Sequence, residues 1–167
     1  MKEHCTHSWF EDWFDSEYYH SLYKSRDETE AARFMDALLG YLTLPAGAHV
    51  MDLACGKGRH SRFLNSLGYN VLGVDLSENS IAFARQFESA TLHFRVGDMR
   101  EPQGHLAFDA VFNLFTSFGY FNSQADNRKT LASIHTSLKT NGLLVIDFMN
   151  SAKAIAHLQP HYVLEKN

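Results

Sequence analysis

The stretch Val50-Met51-Asp52-Leu53-Ala54-Cys55-Gly56-Lys57-Gly58-Arg59-His60 decides the architecture. It opens as an apolar run of strand length, passes through two glycines one residue apart, and continues with the periodicity of a helix. Glycines at 56 and 58 let the backbone turn tightly and come close to a ligand. The helix N-terminus behind them presents unpaired N–H groups and the positive end of its dipole. By itself Gly-x-Gly is read equally well as a tight strand-to-helix turn that binds nothing.

On both sides of this turn, short apolar runs mark strands at 50–53, 70–74, 91–96, 110–114 and 142–148. Between them lie helices over 59–66, from a Ser77 cap to 87, and from a Ser123 cap to 138, with 98–108 mostly loop. Strands alternating with helices imply an α/β fold with a parallel sheet, right-handed crossovers and helices on both faces. Upstream, the aromatics Trp9, Phe10, Trp13, Phe14, Tyr18, Tyr19 and Tyr23 recur at helical spacing. Asp27 and Glu30 then form a capping-box-like start, and Ala31, Phe34, Leu38 and Leu42 share one face of a second helix that ends near 40–43. Pro45-Ala46-Gly47 turns the chain into the first strand.

The chain's 167 residues, 45% of them apolar, suit one domain. Within it, 1–47 are expected to form an N-terminal helical lid, 48–150 a Rossmann-like core, and 151–167 the start of a C-terminal part that is otherwise missing. A net charge of −4 and a pI near 6.2 exclude a nucleic-acid or anionic-membrane surface. Two cysteines, Cys5 and Cys55, make no disulfide framework, so a cytoplasmic setting is expected. No apolar run reaches membrane-span length, and the polar start lacks a signal-peptide core.

Two carboxylates give the glycine turn its context. Asp75 closes the second strand 17 residues after Gly58, where an acidic side chain can accept hydrogen bonds from both ribose hydroxyls. Asp98 ends the third strand at the same carboxyl edge, where open α/β sheets bind ligands; its other reading is a solvated carboxylate partnered by Arg100. A dinucleotide would want a third glycine where the chain has Ser61. Asp52 would repel a pyrophosphate but suits a cationic ligand. A nicotinamide dehydrogenase is therefore disfavoured.

The turn 52–60, the strand Leu72-Gly73-Val74-Asp75-Leu76-Ser77, the step Gly97-Asp98-Met99-Arg100 and the strand Gly142-Leu143-Leu144-Val145-Ile146-Asp147-Phe148 together resemble class I S-adenosylmethionine-dependent methyltransferases. The N-terminal aromatics, Leu22-Tyr23, Arg26-Asp27 and Phe115-Thr116-Ser117-Phe118-Gly119-Tyr120-Phe121 are similar to a bacterial small-molecule-type subgroup. The resemblance implies S-adenosylmethionine as cofactor, S-adenosylhomocysteine as product, no metal, and a small-molecule acceptor methylated by in-line displacement. It implies that Asp52 and the backbone of Ala54, Cys55, Gly56 and Gly58 hold the methionine moiety, Asp75 the ribose, and Asp98 with Met99 the adenine. Leu76 would cover one adenine face, Tyr23 would belong to the lid, and Asn113 and Leu114 would lie beside the reacting methyl. The family's usual first glycine is Ala54 here and its third is His60, which becomes an added contact. His60, Tyr120 and Tyr19 are candidate bases. A cofactor-binding module without catalysis is the alternative.

Other features have plainer readings beside functional ones. The aromatic stripe is a lid over the cofactor, with Tyr19 and Tyr23 facing it, or a helix packed for buried area. His4, Cys5 and His7 lie in a polar terminus and are not taken as metal ligands. Cys55 lacks a Cys-His spacing and is read as loop packing. Thr116, Ser117 and Tyr120 place polar tips among apolar rings, as a pocket or as an apolar crossover with incidental hydroxyls. Only 19 residues follow Phe148, too few for the antiparallel hairpin of similar methyltransferases. Residues 151–159 suit a short helix and 162–164 at most one strand. Leu143 to Ile146 is apolar without alternation, so an unpaired edge there is expected to be covered, by self-association among other means.

Overall fold

The computed structural model describes Trp13, Ser16, Tyr18 and residues 28–158. Its elements are α1 (Glu28–Leu39), β1 (His49–Leu53), α2 (Arg59–Ser66), β2 (Asn70–Asp75), α3 (Glu78–Ala84) running into a 3-10 turn (Arg85–Phe87), β3 (Leu92–Val96), β4 (Phe108–Asn113), α4 (Gln124–Ser137), β5 (Leu138–Ile146) and α5 (Ser151–Ala156). The five strands form one sheet in the order β3-β2-β1-β4-β5, every neighbouring pair parallel. The chain steps outward on one side of β1 through β2 and β3, then returns to the other side through β4 and β5. The carboxyl ends of β1 and β4 thus form the switch point where open α/β sheets take ligands.

Both faces of the central strands are dry, as parallel sheets require. On one face Val50, Ala110 and Phe112 pack with Met35 of α1, Leu64 of α2 and Ile81 of α3. On the other, Met51, Leu53, Val74 and Val111 pack with Ile134 of α4. Each fully buried side chain of this kind contributes roughly 1.5–3 kcal/mol. The helix starts follow local chemistry: the Ser77 hydroxyl accepts from the Ser80 amide, Ser123 from Ala125 and Asn150 from Lys153. α2 differs, because its cap is Gly58 in the left-handed conformation at φ 79°.

Two strands differ from expectation by more than one residue at an end. β4 starts at Phe108 and ends at Asn113, and β5 runs from Leu138 to Ile146, not over 142–148. Leu138 leaves α4 already extended and pairs with Phe108; a bulge follows, with Asn141 at φ 63°, before Leu143 takes up register with Ala110. β5 stops before Asp147 because that residue's side chain and carbonyl turn to the loop after β4. As the outermost strand among the described residues, β5 leaves Leu143 and Leu144 more than a third exposed, not covered on both sides. The expected aromatic helix lies mostly outside the described residues; Trp13 and Tyr18 are helical and exposed. The expected strand at 162–164 also lies outside them.

Candidate functional site: the carboxyl edge of β1 to β4

Residues 54–58 alternate into the left-handed region, with Ala54 at φ 66°, Gly56 at 55° and Gly58 at 79°. The amides of Ala54 and Cys55 both donate to the Val74 carbonyl (2.7 and 3.0 Å), which pins the turn to the end of β2. At Gly58 a Cβ would fall 2.5 Å from the Phe94 ring, so only glycine lets α2 start this close to β3. At Gly56 a Cβ would meet nothing within 4 Å, which leaves backbone facing open space. Ala54 adopts its angle at a cost of roughly 1–2 kcal/mol, the physical reason glycine suits that position.

Asp75 organises this turn. Its Oδ2 accepts from the Gly56 amide and its Oδ1 from the Ser77 amide, each at 2.8 Å. A carboxylate accepts at about four positions, and these amides take two of them. Asp52, only 2% exposed, accepts from the Ser61 hydroxyl at 2.6 Å. Burial, with the Asp75 charge adding to it, pushes the Asp52 carboxyl up to about 6 against the opposing pull of Ser61. Burial also drives the Cys55 thiol well above its usual range, helped by both carboxylates, so it stays a protonated packing group.

Asn113 closes β4 beside β1. Its Nδ2 donates to the Leu53 carbonyl at 2.9 Å, while its buried Oδ1 has no hydrogen-bond partner among the described residues. A buried, unsatisfied acceptor costs roughly 1–3 kcal/mol and points to a donor from a ligand or water. Asn127 Oδ1, in the first half of α4, is a second such atom. Leu114 is buried, and Leu76 stands 39% exposed at the mouth. Met99 packs against the α4-side core.

Asp98 is half-buried, and its carboxylate is bonded by the Arg100 guanidinium and by the Arg100 amide. Burial alone would raise its pKa, but the bonds and charge of Arg100 outweigh that and hold it below the ordinary carboxylate range. Arg100 also lies 4.7 Å from the Phe121 ring and 3.8 Å from Asp126. Asp98 thus sits at the expected edge together with the Arg100 partnership of its plainer reading.

His60, 6% exposed, stacks on Phe115 with centroids 4.9 Å apart, and Phe34 of α1 meets both rings edge-on. Arg59 lies 4.6 Å above the Phe115 ring and pairs with Glu30 of α1 at 2.7 Å. Tyr120 is half-buried, and the Ser117 hydroxyl is taken up by the Leu114 carbonyl at 2.8 Å. Tyr19, Tyr23, His4, Cys5 and His7 lie outside the described residues. Among those described, no three His, Cys, Asp or Glu side chains are grouped to hold a metal, and no helix is long and apolar enough to cross a membrane. Sequence reasoning missed the Phe34–Phe115–His60 stack and Asp147.

An all-parallel sheet in this order, with a glycine turn after β1 and an acidic residue closing β2, defines a nucleoside-binding α/β domain. Comparison narrows the class, for a family model described as a methyltransferase domain matches residues 44–165, and the chain belongs to the class I S-adenosylmethionine-dependent methyltransferases. It is 38% identical over 108 residues to a glycine/sarcosine N-methyltransferase of Aphanothece halophytica, covering 60% of this chain and 40% of that protein. It is 31% identical over 131 residues to the dTDP-3-amino-3,4,6-trideoxy-alpha-D-glucopyranose N,N-dimethyltransferase of Streptomyces venezuelae, covering 77% and 54%. Among solved structures it is similar to SAM-bound CalS10, an amino pentose methyltransferase from Micromonospora echinaspora. That match has a TM-score of 0.62 and 28% identity, and covers 78% of this chain and 56% of the other. The chain spans about half the length of the curated relatives it matches.

Proposed function

We propose that the chain binds S-adenosylmethionine across the carboxyl ends of β1 to β4 and directs methyl transfer to a small-molecule amine. The observation that carries this reading is the Asp75 carboxylate, which spans Gly56 and Ser77 at the glycine turn. The open face at Gly56 and the unpartnered Asn113 Oδ1 fit such a ligand. In the proposed pose Asp52 and the backbone of 54–58 hold the methionine end, and Asp75 holds the ribose. Asp98, Met99 and Leu76 surround the adenine, with Asn113 and Leu114 beside the reacting methyl. The cofactor supplies an electrophilic sulfonium methyl whose thioether leaving group needs no proton.

The residues' work is then alignment and exclusion of water. For an amine acceptor, Asn113 and Leu114 would hold the lone pair in line with that methyl, so that the N–C bond could form as the S–C electron pair is left on sulfur. The methylated ammonium afterwards loses its proton to solvent or to a nearby base, for which His60, Tyr120 and Tyr19 are the candidates. The nitrogen acceptor is supported by the names of the similar N-methyltransferases. Cysteine use supports a cytosolic setting, since Cys55 is buried and free of any disulfide. Single-turnover release of labelled methyl to amine, hydroxyl and carboxyl acceptors tests the reading: transfer to amines is expected, and transfer confined to oxygen acceptors would refute the amine assignment.

One observation favours a second reading, a cofactor-binding module that does not turn over by itself. The outer side of β5, the loop after it and α5 expose Leu143, Leu144, Phe148, Met149, Ile155 and, just past the helix, Leu158. An open apolar edge of this kind drives association between chains. Light scattering on this chain is then expected to show concentration-dependent association, and a stable monomer with efficient turnover would overturn this second reading.

A further inference from the structure

Phe115 and Thr116, immediately after β4, stand at φ 56° and 61°, two consecutive left-handed residues neither of which is glycine. Such a conformation is unfavourable for a residue with a Cβ and persists only when its surroundings over-determine it. Here the over-determination comes from one residue 32 positions away. Asp147 Oδ2 accepts from the Phe115 amide at 3.0 Å, and the Asp147 carbonyl accepts from the Thr116 amide at 3.1 Å. The Asp147 amide donates back to the Asn113 carbonyl at 3.0 Å. The last residue of β4 and the turn behind it are therefore clamped by three bonds from just past the end of β5.

What the clamp aims is the Phe115 ring. Were Phe115 in the extended region, its Cα–Cβ bond would point elsewhere and the contact with His60, at 4.9 Å and 22° between planes, would be lost. The same ring carries Arg59 above it and Phe34 at its edge, so the conformation at 115 is transmitted to α1 and to the first turn of α2. Asn113, with its buried acceptor, lies at the near end of the clamp.

We propose that Asp147 is a positioning residue for this site: by holding Phe115 and Thr116 left-handed, it sets His60 and Asn113 where the cofactor and acceptor meet. The proposal rests on the function proposed above, and its test reads both independently. The ring of Phe115 shifts the His60 ring-proton resonances, which Phe115→Leu identifies by abolishing that shift. Asp147→Asn keeps an acceptor oxygen at Oδ1 and is expected to leave His60 unmoved and S-adenosylhomocysteine affinity within about threefold. Asp147→Ala is expected to move the His60 resonances towards those of free histidine and to weaken binding roughly tenfold, the scale of one hydrogen bond to a charged acceptor. Thr116→Gly in the alanine background relieves the strain and is expected to restore part of both. Should Asp147→Ala fail to fold, Asp147→Glu, which displaces the carboxylate by one methylene, is expected to give the same His60 response. Unmoved His60 resonances in the alanine or glutamate variant, or an asparagine variant that behaves like alanine, would overturn the proposal. A wild-type chain that does not bind S-adenosylhomocysteine would count against the proposed function, and the His60 response would still decide the role of Asp147.

Discussion

Asp52→Asn is expected to stabilise the protein at neutral pH and to do nothing at pH 3. The Asp52 carboxyl is fully buried and its pKa is raised from 3.8 to about 6, so the folded state holds the proton more tightly than the unfolded state does. The associated stability is fully present below the unfolded value and is lost as pH rises through about 6. Roughly two pKa units at 1.36 kcal/mol each give about 3 kcal/mol lost once both states are ionised. Asparagine keeps an oxygen for the Ser61 hydroxyl and carries no charge, so it avoids that loss. Asp98 and Asp109 act in the opposite sense: their pKa values are lowered, by Arg100 and by Lys139, so their stability is present above the unfolded value and is lost as pH falls. The difference between variant and wild type cancels those groups. Urea unfolding of both proteins from pH 3 to 8 is the assay, and the stability difference is expected to grow from near zero to about 2–3 kcal/mol across pH 4–7. The ammonium at the amino-acid end of S-adenosylhomocysteine favours ionised Asp52, so wild-type affinity is also expected to rise about tenfold from pH 5 to 7, and the variant's to stay flat. A stability difference that is constant with pH would show that burial does not hold the proton on Asp52.

Three further substitutions separate contributions within the site. Ala54→Gly removes the penalty of a side chain at φ 66° and is expected to raise stability by about 1 kcal/mol, read by denaturant unfolding; a destabilised variant would mean that the turn is not strained. Asp98→Ala is expected to weaken adenosine-containing ligands more than Arg100→Ala does, read by calorimetry. Equal losses would mean that Asp98 serves only to hold Arg100.

The elements that could be read from the chain are those settled locally. α2 falls on 59–66 because Gly58 supplies a left-handed start and Gly68 the turn after its end. The Ser77 and Ser123 caps occupy their expected places because a hydroxyl two or three residues before an amide is a near-neighbour signal. The start of β5 was not legible, since the bulge opposite Phe108 and Ala110 is decided by pairing with a strand 30 residues earlier. Ala54 could be recognised as a departure from glycine, but its φ of 66° depends on where Val74 holds the turn. Asp147 gives no local sign of its role, because its partners at Phe115 and Thr116 reach it only through the sheet.

Every functional role proposed above requires that this chain bind S-adenosylmethionine and its thioether product through the carboxyl edge of β1 to β4, and titration calorimetry with the product, S-adenosylhomocysteine, is the sharpest test of that site. Wild type is expected to bind one equivalent. Asp75→Ala removes the acceptor of the Gly56 and Ser77 amides together with the proposed ribose contact, and is expected to weaken binding by about 1–3 kcal/mol or more. Equal affinity in wild type and variant, or no binding by either, would contradict this assignment of the site.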